Sequence, residues 1–490
     1  MRVAFHTLGC KVNHYETEAM REAFVSRGAE SVGEDDAADV YIINTCTVTN
    51  IADRKSRQFI RRAKRLNPDA MIVVTGCYAQ VEPDEVASLD EVDMVVGNGQ
   101  KAKICDMVYE RIGRRPVSCE GREANSATNN GDTNADREKD ITVLKRNELT
   151  EYEDMGLVSS SEPGMTRAYI KIQEGCDRFC AYCLIPYARG PVRSRPPEDI
   201  VREAAMLLDS GVRELVLTGI NTALYGTEQG FGYALTDGSG RVFPGLERIA
   251  AMTEEERRQI SPLEIILARL DALDGYDFRI RLSSLEPTVV DRDDVEKIIR
   301  YRKLCHHLHL SVQNGSNNVL RAMNRHYTRE DYLEIVRAVR EYDPHYGITT
   351  DIIVGFPGET EEDFADTLDI VKEAEFGKVH VFRYSPRKGT RGASLPDAVD
   401  GNTKNERAAM LEAESVRIAE GFMRSNFGRR HKVLAEEFRD GFMTGYTDNY
   451  IRTYIRDPGR TLEEGQFYEV KLQEIYEDGC IGIRLTEDLT

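Results

Sequence analysis

Two periods of apolar residues alternate along the chain, and the points where they change mark its elements. Near the N-terminus VAFHTLGC (Val3–Cys10), DVYIINTC (Asp39–Cys46) and AMIVVTGC (Ala70–Cys77) each read as an apolar strand closing on a small polar residue and a cysteine. Helical spacing fills the gaps, from Glu16 to Arg27 and from Ile51 to Leu66. This order of strands and helices predicts a parallel sheet. In such sheets ligands gather outside the carboxyl ends of the strands, where Cys10, Cys46 and Cys77 all stand.

From Glu120 to Asp140 the only apolar side chains are alanines, which predicts a flexible linker or insertion. A second strand–helix series follows, with strands expected at Ala168–Glu174, Glu214–Thr218, Arg279–Ser283, His307–Val312, Thr349–Gly355 and Lys378–Tyr384. Six such units suggest a partial (β/α)6 barrel with its chemistry at the C-terminal rim. The stretch 225–276 is too long for one connection and is read as an inserted loop. After a charged helix near Asn405–Phe422, short strands separated by turn residues (KVLAEEF, YIRTYI, FYEVKL, IGIRL) predict a small β-barrel. The expected fold class is α/β with a small β-barrel appended. The expected domains are a parallel α/β domain over 1–119, a linker over 120–161, a barrel over 162–427 and a small β-barrel over 428–490.

Composition narrows the class. The 490 residues include no tryptophan, carry a net charge of −19, and are 41% hydrophobic and 30% charged. That is the balance of a soluble protein. No apolar run approaches a membrane span, and MRVAFHTLGCKVNHYE lacks a secretory pattern, so a cytoplasmic location without membrane partners is expected. Ten cysteines in that setting point to metal, redox or plain burial rather than disulfides.

The most specific segment is GCDRFCAYCLIPYARGPVRSR, which spaces Cys176, Cys180 and Cys183 as C-x3-C-x2-C just after the first expected barrel strand. A structural zinc site would show four ligands in paired spacing. Three thiolates with no fourth nearby suit a 4Fe-4S cluster with one open iron. A zinc loop or buried thiols are the alternatives. The run resembles the radical S-adenosylmethionine (SAM) superfamily. That resemblance implies a cluster that binds SAM and cleaves it to a 5′-deoxyadenosyl radical, with Tyr182 against the SAM adenine. TLGCKVN (Thr7–Asn13), NTC (Asn44–Cys46) and TGC (Thr75–Cys77) resemble the methylthiotransferases within it, which implies a second 4Fe-4S cluster on Cys10, Cys46 and Cys77. TLGCKVNHYETE and IQEGCDRFCAYCLIPYARGPVRSR are most similar to the bacterial tRNA branch acting on N6-threonylcarbamoyladenosine at position 37, and GYTDNY (Gly445–Tyr450) looks like that branch's signature in a TRAM-type barrel. The chain departs from the pattern at His14, in long segments near Asn130 and Ser239, and in an acidic C-terminal barrel. Cys105, Cys119, Cys305 and Cys480 fit no pattern and read as structural thiols.

By the same resemblance, SAM contacts are expected from Thr218, Gly219 and Asn221, from Ser284 and Glu286, from Gln313 and Ser316, and from Arg325 and Asp351. Each alone could equally be a strand-end turn. Charge supplies a candidate RNA surface. Between Arg54 and Arg65 lie seven basic residues and no acid, and Arg54, Arg57, Arg61 and Arg65 share a helix face. In an acidic protein such a stripe suits phosphate, although a solvated face is the plain alternative. Arg189, Arg193 and Arg195 add charge beyond the cysteine run. Glycines and aromatics of the C-terminal barrel could stack an anticodon loop, yet from Gly428 onward nine Lys/Arg face thirteen Asp/Glu. The resemblance implies tRNA as partner and a low-potential electron donor such as a flavodoxin or ferredoxin. The rival activities are methylthiolation of a ribosomal-protein aspartate or of isopentenyladenosine in tRNA, and a non-enzymatic iron–sulfur RNA-binding or redox-sensing role.

Overall fold

The computed structural model describes residues 1–47, 50–114, 139–158, 166–287 and 289–485. They divide into two compact units, one of Met1–Gly156 with Tyr187–Gly190, the other of Leu157–Pro186 with Pro191–Thr490.

The first unit is built on six strands: β1 (Arg2–Thr7), β2 (Glu30–Val32), β3 (Val40–Thr45), β4 (Met71–Gly76), β5 (Met94–Val96) and β6 (Asp140–Thr142). All pair in parallel, in the order β2-β1-β3-β4-β5-β6. The sheet is wound on both faces. Met20 and Phe24 of the helix Lys11–Val25 share one core with Ile104 and Val108, while Phe59, Ile60 and Ala63 of the helix Asn50–Leu66 fill the other. β3 and β4 are buried along their whole length, which is why VYIINT and MIVVTG are apolar without alternation. The order reverses between β1 and β3, which puts the switch point where ligands of such sheets gather, at the carboxyl ends.

The linker expected over 120–161 is structured over part of its length. Asp140–Thr142 is the edge strand β6, and Leu149 is buried beyond it. A strand added to a free sheet edge is held by backbone hydrogen bonds, which composition does not reveal. Residues 120–138 and 159–161, like Cys119, lie outside the described residues.

In the second unit β7 (Arg167–Lys171), β8 (Gln173–Glu174), β9 (Arg193–Ser194), β10 (Glu214–Thr218), β11 (Arg279–Leu282), β12 (His307–His309), β13 (Gly347–Val354) and β14 (Lys378–Arg383) follow in order. β7, β10 and β11 form one parallel sheet and β12, β13 and β14 another, joined by the bridges Ile280↔Leu304 and Leu285↔Leu310. This is the partial barrel of six parallel strands. Residues 168, 170 and 172, with Leu215, Leu217, Ile280 and Leu282, point outward into the main core. The alternate positions face the interior. The expected first strand is split: β8 leaves the sheet and pairs antiparallel with β9, closing the base of the cysteine loop. The inserted segment is a turn around Asp237 and the helices Glu247–Ala250 and Glu254–Arg257, with a small core of its own. Its last third, Pro262–Asp271, is a packing helix of the barrel.

The helix Gly401–Ser425 leads to β15 (Arg430–Arg439), β16 (Phe442–Tyr446), β17 (Arg452–Arg456), β18 (Phe467–Tyr476) and β19 (Gly479–Arg484), a closed barrel in the order β15-β16-β17-β19-β18. Among the described residues no helix is long and apolar enough to cross a membrane.

Candidate active site

In the first unit, Cys10, Cys46 and Cys77 follow the carboxyl ends of β1, β3 and β4, three neighbouring strands. Cys46 and Cys77 are buried and Cys10 is exposed. Gly9 and Gly76 have positive φ, and a Cβ on Gly9 would lie 2.7 Å from Cys46 Cβ and 2.9 Å from its sulfur. Only glycine brings the Cys10 loop this close. Beside Cys77, the Thr75 hydroxyl and Asn98 Oδ1 are buried with no hydrogen-bond partner among the described residues.

A polar network underlies this rim. The guanidinium of Arg189 donates to both Glu16 oxygens, at 2.7 and 3.0 Å, and to Asn13 Oδ1 at 2.6 Å. Lys101 also pairs with Glu16, and all three charged side chains are fully buried. Asn13 in turn donates to Leu8 O and Thr45 O, and Asn98 to Ala188 O at 2.8 Å. Arg189 is therefore a structural tie within the first unit, not a phosphate contact. Arg193 and Arg195 also depart from expectation: both are buried and paired, with Glu174 at 3.8 Å and Glu203 at 2.5 Å. A guanidinium buried against a carboxylate has no charge left to offer RNA.

In the second unit the loop of Cys176, Cys180 and Cys183 hangs between β8 and β9. Asn324 donates to Arg178 O and Phe179 O, Ala181 N donates to Met323 O, and Gly392 N donates to Ala181 O. Tyr182 packs beside Met323, Ile353, Phe356 and Tyr384. Burial pushes the Cys176 thiol up to about 12 and raises those of Cys180 and Cys183 as well. A bound cation reverses that balance and takes the thiolates.

Three of the expected SAM contacts converge here. Asn221 Nδ2 donates to one Glu286 oxygen at 2.8 Å, and Arg325 Nη1 donates to the other at 2.6 Å and approaches the Cys180 sulfur at 3.4 Å. Arg325 Nε is buried with no partner among the described residues. Thr218 is buried at the tip of β10, Gly219 packs against Gln173, Ser284 accepts from Thr222, and Gln313 sits at φ 66° between Asp351 and Ile353. Ser316 departs from expectation: it caps the helix Asn317–Ala322 and donates to Asp363 at 2.5 Å, 1% exposed. Asp351 bonds His309 and Ser311 inside the barrel.

Donor chemistry tests what the cysteines could hold. Among the described residues only His309, Asp351 and His380 bring three ligand atoms all within 4.8 Å of one another. A structural zinc site takes four ligands, and each triplet supplies three thiolates. Three thiolates, with no fourth cysteine in either run, fit an iron–sulfur cluster with an open iron.

The basic helix Asn50–Leu66 is largely engaged by its own unit. Arg57 donates to Tyr78 OH at 2.7 Å and to Glu85 at 3.0 Å, Arg62 pairs with Asp35, and Lys64 donates to Ala70 O. Arg61 approaches Glu91 at only 3.8 Å, and Arg54 and Arg65 are exposed. Arg54, Arg57, Gln58, Arg61 and Arg65 line a shallow groove. In the C-terminal barrel, GYTDNY serves the fold. Tyr446 and Tyr450 stack on each other, Tyr450 stacks on His307, and Arg279 and Arg281 donate to the carbonyls of Tyr446, Thr447 and Asp448. Both rings are half-buried, and the stacking engages them within the fold.

Residues 170–371 match the Radical SAM superfamily, and residues 2–97 match a family described as Uncharacterized protein family UPF0004. A radical SAM methyltransferase, TsrM from Kitasatospora setae, shares the fold at a TM-score of 0.51 and 13% identity, over 85% of this chain and 89% of that one. Fold and cysteine loop together define a radical SAM enzyme. Threonylcarbamoyladenosine tRNA methylthiotransferase MtaB of Bacillus subtilis is 38% identical over 97% of this chain and 98% of its own length, and that of Aquifex aeolicus 37% over 92% and 96%. A tRNA-2-methylthio-N(6)-dimethylallyladenosine synthase of Rickettsia rickettsii is 32% identical over 95% of each. The chain belongs to the threonylcarbamoyladenosine tRNA methylthiotransferase family.

Proposed function

We propose that this enzyme places a methylthio group on C2 of N6-threonylcarbamoyladenosine at position 37 of tRNA. The observation that carries the reading is the pair of cysteine triplets, each on the carboxyl-end rim of its own parallel sheet, in a chain similar along its whole length to enzymes named for this reaction. The C2–H bond is far too weakly acidic for a side-chain base, which accounts for the lack of an acid–base constellation in this reading. When bound, two 4Fe-4S clusters and SAM supply the electron transfer, the 5′-deoxyadenosyl radical and the sulfur.

The chain's own residues bind and orient. Cys176, Cys180 and Cys183 hold one cluster, and Cys10, Cys46 and Cys77 the other. Arg325, through its free Nε, takes the SAM carboxylate, while Glu286 and Asn221 face the amine and Tyr182 the adenine. Thr218, Gly219, Ser284 and Gln313 form the surrounding backbone wall. Arg54, Arg61 and Arg65 meet tRNA phosphates, and a flavodoxin or ferredoxin delivers the electron. Nucleoside mass spectrometry of tRNA from a deletion strain tests the substrate. The methylthio derivative of threonylcarbamoyladenosine should vanish and return with the gene. Its persistence in a strain without a paralogue overturns the reading.

A further inference from the structure

Three side chains inside the partial barrel belong to neither cysteine triplet. We propose that His309, Asp351 and His380 bind a single divalent first-row transition metal ion.

Strand register brings them together. Thr349 is the partner of His309 across β12 and β13, and Asp351 is the partner of His380 across β13 and β14, so the three sit on adjacent strands two residues out of step at most. Leu308, Leu310, Ile348 and Ile352 point into the main core, which turns the alternate positions 309 and 351 to the other face. His309 Nε2 and Asp351 Oδ2 are 3.1 Å apart, close to the ~3.3 Å that separates two ligands of a tetrahedral ion with bonds of about 2.0–2.1 Å. The His309 and His380 rings are 6.0 Å apart and tilted by 49°, and the three ligand atoms already lie within 4.8 Å of one another.

The supporting groups are those a metal site needs. His309 Nδ1 bonds Thr349 Oγ1 at 2.9 Å, which fixes the ring and leaves Nε2 to face Asp351. Ser311 Oγ donates to the same Asp351 oxygen at 3.1 Å and orients the carboxylate. Such outer hydrogen bonds to the far nitrogen of a histidine and to a ligating carboxylate are the usual second layer of a metal site. The scaffold is rigid β-sheet, and the three side chains are only partly covered, so an ion can reach them. Two imidazoles and one carboxylate select zinc or ferrous iron over magnesium or calcium, which prefer all-oxygen ligands, and lack the thiolates that favour softer ions. Three protein ligands leave coordination positions open to an oxygen donor.

The test uses the full-length enzyme with its clusters reconstituted anaerobically, then equilibrated with micromolar zinc and desalted. Wild type should retain one zinc per chain beyond its iron, with a zinc X-ray absorption shell of nitrogen and oxygen only, at about 2.0 Å. His380→Phe and Asp351→Asn should each lower zinc occupancy at least about tenfold while iron content and thermal melting hold. Retention of zinc by both folded variants, a sulfur-containing shell, or no zinc on wild type overturns the proposal. In that event the three side chains are an internal hydrogen-bond network. Should either variant misfold, the shell measured on wild type decides.

Discussion

At the scale of single residues, Cys180 and Cys77 separate the two halves of the proposed chemistry. Cys180 touches Arg325 beside Glu286 in the second unit, whereas Cys77 follows β4 in the first. Cys180→Ala should abolish 5′-deoxyadenosine formation altogether. Cys77→Ala should still cleave SAM with a strong reductant yet form no methylthio product, as read by chromatography of both products on variants with matched melts and iron counts. Methylthiolation by Cys77→Ala would mean that the first triplet is only core thiol. Arg189 is the residue whose role the fold changed. With Lys101 it sets two buried cations against the single carboxylate of Glu16. Arg189→Met removes a bidentate partner from a fully buried carboxylate that Lys101 still pairs, and should cost about 1.5–3 kcal/mol in denaturant unfolding. Arg189→Lys should restore only part, because an ammonium cannot reproduce the fork to Glu16 and Asn13. Equal stability of the wild type and the Met variant would show that the network is not maintaining the unit.

At the scale of elements, the helix Asn50–Leu66 carries two kinds of arginine on one face. Arg57 is tied to Tyr78 and Glu85, while Arg54 and Arg65 remain exposed. Reversing Arg54 and Arg65 to Glu should weaken tRNA binding and lower the slope of log affinity against log salt by about two, since each phosphate contact contributes about 0.9. SAM cleavage without RNA should be unchanged. An unaltered slope would reduce the stripe to a solvated face. Reversing Arg57 instead should lower thermal stability, because it puts an acid against Glu85. The pairing of β8 with β9 belongs to this scale as well: it ties the two ends of the cysteine loop together.

At the scale of the whole second unit, the join between the small barrel and the partial barrel rests on Glu214. The Arg281 and Arg279 guanidinia pair with it at 3.0 and 2.6 Å and reach on to carbonyls of Lys432, Tyr446, Thr447 and Asp448. Although burial acts to raise it, Arg281 and Arg279 hold the Glu214 carboxyl well below its usual range. A group depressed in the folded state stabilises above its unfolded pKa, about 4.3 for Glu, and that contribution is lost as pH falls toward the folded value. Melting temperature should therefore be insensitive to Glu214 between pH 7 and about 5 and fall with its protonation below about 4. Glu214→Gln should destabilise at neutral pH by about 3–5 kcal/mol, since it strands two buried guanidinia, and should shrink the difference from wild type at acid pH. A constant difference across the range would place the acid sensitivity elsewhere.

The three N-terminal strands that lead to cysteines, the six parallel strands of the partial barrel, four of the five strands of the small barrel and the position of all six cysteines were legible in the sequence. Each depends on local periodicity, or on spacing within a short run such as Cys176–Cys183. What tertiary structure alone decided was which charges are spent and which remain. Arg189 reads as one more cation beside a cysteine run, yet its partner Glu16 lies 173 residues away. Arg193 and Arg195 are likewise claimed by Glu174 and Glu203, and GYTDNY by the ends of β11. β6 escaped notice because an edge strand needs only a neighbour's backbone, not a pattern of its own. His309, Asp351 and His380 are far apart in the chain and meet only because three strands align side by side. Periodicity is a property of a segment, but an ion pair or a ligand set is a property of register and packing, which the folded chain alone establishes.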